Sequence, residues 1–164
     1  MRPRTSPRSA PPKHPHLHEE CALASQGFRR IVGVDEAGRG SWAGPLVAAA
    51  VRLPASDVML QSLLDGVRDS KQLTASRRAE LYRRILRCAV DVGVGVVAPA
   101  TIDRMGLAGA AEMAMHWAVQ DLAETPDCLL IDAFTIRGCS LYQRPIIHGD
   151  SICLSIASAS VVAK

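Results

Sequence analysis

Two adjacent acids, Asp35 and Glu36, close the apolar run Ile31–Val34, and Gly38, Arg39 and Gly40 follow at once. A third acid, Asp132, ends the apolar run "CLLIDA" in the same way. Successive side chains on a strand point to opposite faces. Asp35 and Glu36 can therefore share a site only if the strand ends there and the turn re-aims the second acid. Clustered carboxylates repel and raise one another's pKa, and a divalent cation is the usual compensation. An oxygen-only donor set without neighbouring Cys or His suits hard ions, Mg2+ or Mn2+. Such ions bind substrate phosphates and serve phosphoryl-transfer chemistry. The alternative, open at this point, is that Asp35 and Asp132 merely cap turns or helices.

The elements needed to bring these acids together are legible in outline. "LVAAAVRL" (Leu46–Leu53) reads as a second strand, joined to the first by the turn-rich "EAGRGSWAGP". Thr74 can cap a helix whose apolar positions Leu81, Ile85 and Leu86 recur at helical spacing. Alternating valines mark "AVDVGVGVVA" as a strand. Pro99 opens a helix with Ile102, Met105, Ala111, Met115 and Val119 on one face, and Gly106 and Gly109 predict a break in it. After the strand at Cys128–Ala133, "RPIIHGD" reads as a short strand and "SICLSIASASVVAK" as a small-residue helix against the sheet. Strands interleaved with helices predict an α/β domain with a mixed or mostly parallel sheet, in which strand ends are where ligands bind.

Composition bounds the rest. A chain of 164 residues can bury one sizeable core. Aromatics are only 4%, so stacking platforms for single-stranded nucleic acid do not dominate. The formal charge of +3 permits a nucleic-acid partner without demanding one. Residues 1–27 are Pro-rich and aperiodic and read as a disordered tail, leaving 28–164 as the folded domain. Within the tail, His14, His16 and His18 could suggest a metal site, but nothing around them preorganises ligands, and the solvated reading is preferred. Five scattered cysteines, never spaced as C-x-x-C, read as reduced thiols. With neither a spanning segment nor a secretory leader, a cytoplasmic protein, a monomer with no membrane partner, is expected.

The block "GVDEAGRGSWAGPLVAAAV" closely resembles the opening motif of the ribonuclease HII family, usually GVDEAGRGPLAGPVVAAAV. Four later blocks resemble that family in order: "RDSKQLTASRRAELY", "TIDRMGLAGAAEMAM", "LLIDA" and "HGDSICLSIASASVVAK". The DEAGRG form favours this family over ribonuclease HIII, which more often reads DESGKG. The resemblance implies an RNase H-like fold and four carboxylates holding Mn2+ or Mg2+. It also implies hydrolysis of the RNA strand of RNA–DNA hybrids, and cutting 5′ of ribonucleotides embedded in duplex DNA. Matched by position, Asp35, Glu36 and Asp132 are three of the acids. Gly38, Arg39 and Gly40 match the segment that reads the ribose 2′-OH. Ser70 and Lys71 match a polar pair near the nucleic-acid path, and Ser160 and Lys164 fall on the last helix, Lys164 towards a phosphate.

The sequence also departs from that pattern. The family continues past its final "AK" into V-T-R-D, and that Asp is taken as the fourth carboxylate, about one helical turn beyond Lys164. The region with a sugar-stacking tyrosine is likewise not present. His148 stands for the frequent Lys, and Gly106 for the frequent Asn. The resulting expectation is a catalytic domain lacking its C-terminal part, with weak metal binding and little activity. The competing expectations are a non-catalytic hybrid-binding remnant and a different Mg2+- or Mn2+-dependent phosphohydrolase.

Overall fold

The computed structural model describes residues 14–40 and 44–164. Among these residues five strands form one mixed sheet in the order β3-β2-β1-β4-β5. They are β1 (Ile31–Ala37), β2 (Leu46–Arg52), β3 (Asp91–Val97), β4 (Cys128–Asp132) and β5 (Tyr142–Ile146). The first three run antiparallel, β1 and β2 through a short connection and β2 and β3 through a longer one that carries a helix, Ala75–Cys88. The pairs β1–β4 and β4–β5 are parallel. These are the α/β class and mixed sheet expected from the sequence.

Helices cover both faces. On one side α4 (Pro99–Gln120) lays Ala110, Ala111, Ala114, Met115 and Ala118 on Val32, Val34, Ala48 and Ala50. Its expected break falls at Gly106, whose φ of 80° lies outside helical space. On the other side α6 (Leu154–Ala163) packs on β1 and β2, and α3 (Ala75–Cys88) presses Leu81 and Ile85 into the same layer. Thr74 caps α3 as expected, accepting the Arg77 N–H at 3.3 Å. The contact of α6 with β1 is backbone-close: a Cβ on Gly33 would lie 2.2 Å from the Ser155 carbonyl carbon. Helix α6 is apolar and small all round because it is buried on nearly every side. The acid-bearing "HGD" is not part of a strand. It leads into a one-turn helix, α5 (Gly149–Ile152), which meets α6 at Cys153.

Two sequence expectations change. The strand carrying the acids does not end at Val34; β1 continues to Ala37, with Asp35 opposite Ala49 and Glu36 opposite Ala48 on β2. The condition that the strand end before Glu36 is therefore not met, yet the charges of Glu36 and Asp132 still act on Asp35 and that of Asp132 on Glu36. The tail also folds from residue 14 onward, while residues 1–13 lie outside the described residues. Helix α1 (His18–Ser25) buries Leu23 completely and Glu20 to 1% exposure. His16 forms a parallel bridge with Cys153. The helix lacks an amphipathic stripe, which is why periodicity missed it; one leucine and one buried glutamate anchor it instead. Among the described residues no metal-ligating cluster involves the histidines of this segment. All five cysteines are free thiols; Cys128 and Cys153 are buried, whereas Cys21 is exposed.

The Gly33 contact yields a direct test. Gly33→Ala forces α6 off the sheet and should cost about 1–3 kcal/mol of stability, read as a lower urea midpoint with an unchanged slope.

Candidate active site

The parallel pair β1–β4 is matched through Val34 and Ile131. The next residue on each strand is an acid, so Asp35 and Asp132 come side by side at the carboxyl edge of the pair. Asp35 is 5% exposed, and its Oδ1 accepts the Glu36 N–H at 2.8 Å. Burial, the Glu36 charge and then the Asp132 charge push its carboxyl up to about 8, against a lowering hydrogen bond from the Ser160 hydroxyl. Glu36 is also raised, mainly by burial and further by Asp132. The Arg39 guanidinium, 3.2 Å from Glu36 Oε1, opposes that rise, while Glu36 Oε2 is buried with no partner.

A further acid emerges that the sequence reading passed over. Asp150, 8% exposed on α5, is raised by burial and then by Asp132 and Asp69, with Lys71 opposing. Asp132 itself accepts the Gly149 N–H at 2.8 Å, which ties β4 to the start of α5. Asp132 thus stands electrostatically central, acting on Asp35, Glu36 and Asp150. The only signal in the sequence was the acid that ends "RPIIHGD", a run read there as a strand; the structure places that acid in the one-turn helix α5. Between β4 and this turn, Ala133 adopts φ 64°, a left-handed conformation that costs a non-glycine residue on the order of 1 kcal/mol.

The acids border a cleft of about 490 Å³ lined by Glu36, Ala37, Gly38, Arg39, Gly40, Ser70, Lys71, Asp132 and Lys164. Eight of the ten residues singled out in the sequence meet there, and the remaining two, Asp35 and Ser160, lie buried beneath it. Gly38 has φ 106°, and a Cβ there would sit 2.8 Å from the Pro45 carbonyl oxygen, so this turn requires glycine. Arg39 also lies over the Phe134 ring, 5.2 Å from its centroid. Ser70 and Lys71 are presented by a 3₁₀ turn whose N-cap, Asp69, accepts the Lys71 N–H at 3.0 Å. Arg78 pins this turn from α3, donating to the Ser70 and Leu73 carbonyls at 3.2 and 3.3 Å. Ser160, 4% exposed, is not a cleft residue; its hydroxyl lies 3.1 Å from Ser70 Oγ and neighbours Asp35 from behind.

Among the described residues no three Asp, Glu, His or Cys side chains converge tightly enough to form an ion-holding group as they stand. The acids are turned to separate protein partners: the Glu36 amide, Arg39, the Gly149 amide and the Ser151 hydroxyl. The donor chemistry nevertheless fits a hard cation. All donors are carboxylate oxygens, one of them is buried without a partner, and raised carboxyls are what uncompensated neighbouring charges produce.

This geometry has relatives. The Ribonuclease HII family model matches residues 32–164. The chain is 49% identical over 150 residues to the ribonuclease HII of Roseiflexus castenholzii, covering 92% of this chain and 67% of that protein. It is 46% identical to the Chloroflexus aurantiacus protein of the same name, covering 92% and 71%. Among solved structures, the ribonuclease H2 from Pyrococcus horikoshii superimposes with a TM-score of 0.70 at 25% identity, covering 82% of this chain and 70% of that one. The ribonuclease HII of Archaeoglobus fulgidus, solved in complex with PCNA, gives 0.66 at 25% identity, covering 82% and 71%. The family model spans most of the chain and the identity to its relatives approaches half, so the chain belongs to the ribonuclease HII family.

Proposed function

We propose that this protein is an endonuclease that hydrolyses the RNA strand of RNA–DNA hybrids and cuts 5′ of ribonucleotides embedded in duplex DNA. The observation that carries the reading is the meeting of carboxylates and a glycine-lined turn in one cleft. Asp35, Glu36 and Asp132, joined by Asp150, would hold Mg2+ or Mn2+. Such ions activate a water and stabilise the leaving 3′ oxygen of an in-line displacement. The chain's own residues do the rest. Gly38 and Gly40 let backbone amides approach a sugar closely enough to read its 2′-OH, the group that separates RNA from DNA. Lys71 and Lys164 supply positive charge to the phosphates on either side, and Arg78 keeps the Ser70–Lys71 turn in place for them. Ser160 buttresses Asp35 instead of touching substrate.

Asp150 also alters the count of acids. A fourth carboxylate was expected only beyond Lys164, but Asp150 stands inside the described chain, buried and coupled to Asp132. With Asp150 in the acid set, residues 1–164 supply four carboxylates, and the reading proposed here is that they cleave substrate; the expectation of little activity rested on counting three.

The test is a cleavage assay on three substrates: a hybrid, a duplex with one ribonucleotide, and an all-DNA duplex, each with Mn2+ or Mg2+ and with EDTA. Expected is metal-dependent cleavage of the first two only. Cleavage of all-DNA would point to a different phosphohydrolase, and hybrid binding without cleavage to a non-catalytic module. Asp150→Asn should lower kcat at least about a hundredfold; an unaffected kcat removes Asp150 from the acid set.

A second prediction concerns stability. Asp35 holds its proton to about pH 8 when folded but releases it near 3.8 when unfolded. The native state therefore binds more protons between those values, and stability in EDTA falls as pH rises from about 4 to about 8. Asp35→Asn should abolish activity yet raise the melting temperature at pH 7.5 in EDTA, by about 2–4 °C per kcal/mol relieved. The gain should shrink towards pH 4; thermal melts across that range would reveal it, and a destabilised variant would contradict it.

A further inference from the structure

Helix α6 begins at Leu154 with Cys153 as its N-cap, and no local side chain caps it. Its first-turn amides need outside partners. The partner comes from 135 residues upstream: Glu20 Oε1 accepts the Ser155 N–H at 2.9 Å, and the Cys153 thiol donates to the same oxygen at 3.1 Å. Glu20 is 1% exposed and its second oxygen, Oε2, is buried without a partner. A half-satisfied buried carboxylate is costly, and a well-packed apolar residue would fill the space without that cost. What the carboxylate supplies is an acceptor held at a helix N-terminus, where the macrodipole favours negative charge. The backbone stitches the same junction: the His16 N–H donates to the Ile152 carbonyl at 3.0 Å, and the Leu154 N–H to the His16 carbonyl at 3.0 Å.

We propose that Glu20 is a positioning residue: an N-cap supplied in trans that fixes the α5–α6 junction. In doing so it sets where Asp150 and Ser160 stand against Asp132 and Asp35. Glu20 reaches none of the cleft itself; it acts through the two helices that meet at Cys153. The inference rests on the nuclease reading given above. It adds that the segment preceding β1 belongs to the catalytic apparatus.

The test compares Glu20→Ala, Glu20→Gln and Glu20→Asp with Leu23→Ala in the full chain. Leu23 is completely buried on the same helix and packs in one apolar cluster with Cys153 and Ile156 but makes no polar link to α6, so it reports the loss of apolar packing at this junction with the cap left in place. Expected for Glu20→Ala is a fall of about tenfold in kcat per folded molecule with KM nearly unchanged, the size typical of residues that orient metal ligands. Glu20→Gln keeps the acceptor and should restore kcat to within about twofold, while the shorter Asp should not. Amide exchange should quicken at Ser155 and across Asp150–Cys153 in the Ala and Asp variants only. Should Glu20→Ala not fold, the Gln–Asp pair decides alone. Equal kcat losses in Glu20→Ala and Leu23→Ala, or exchange at Ser155 unchanged on removing the carboxylate, would overturn the proposal. If the unsubstituted chain cleaves none of the substrates, the nuclease reading fails, and the exchange arm by itself decides whether Glu20 sets the junction.

Discussion

Helix α6 lies on β1 without a side chain between them at Gly33, and much of the molecule's arrangement follows from that closeness. Any Cβ at this position would collide with the backbone of Ser155 and Ile156. The permitted approach brings Ser160 behind Asp35 and seats Ile156 with Leu130 and Cys128 on the same face. It also carries the N-terminus of α6 to the place where Glu20 can reach it. The opposite face repeats the device at Gly93 and Gly95, where added Cβ atoms would strike the carbonyl oxygens of Ala118 and Ala114. Both helical layers therefore grip the sheet backbone to backbone. This rigid sandwich holds buried acids at fixed positions, which loops could not do.

Fixing those acids works against stability. Asp35, Glu36 and Asp150 are all raised chiefly by burial, and Asp132 adds to each. A fold selected only for stability would place neutral or apolar residues at the carboxyl edge of β1 and β4. The strain is concentrated there: a left-handed alanine follows Asp132, and a left-handed histidine, His148, precedes the helix bearing Asp150. Local departures from stable geometry cluster where the chemistry is.

Much of this was legible in the sequence, and the exceptions have physical causes. The strands, the break at Gly106 and the α6 helix followed from period and glycine content, because burial on one or all faces writes itself into residue pattern. The acids were found because two apolar runs deliver them. Their mutual placement was not, since β1 outlasts its apolar run by pairing Asp35 and Glu36 with alanines of β2. Helix α1 escaped because its anchoring depends on Glu20 contacting residues over a hundred positions away. Asp150 escaped because its partners, Asp132, Asp69 and Lys71, lie on other elements of the fold and its own helix is one turn long.

The cations around the acids are unevenly shared, and this bears on what the cleft accepts. Glu36 has Arg39 against it, and Asp150 has Lys71. Among the described residues no cationic side chain relieves Asp35, whose counterweights are the Ser160 hydroxyl and the Glu36 amide. The acid left uncompensated is the most deeply placed of the three, 5% exposed beneath the cleft floor. Asp35, Glu36, Asp132 and Asp150 would hold a small divalent ion, which would supply the positive charge that Asp35 lacks. Glu36 would then share its charge between that ion and Arg39, whose guanidinium also lies over the Phe134 ring. The proposed preference for a small, hard dication thus follows from where the protein withholds its own positive charge as much as from the acids it gathers.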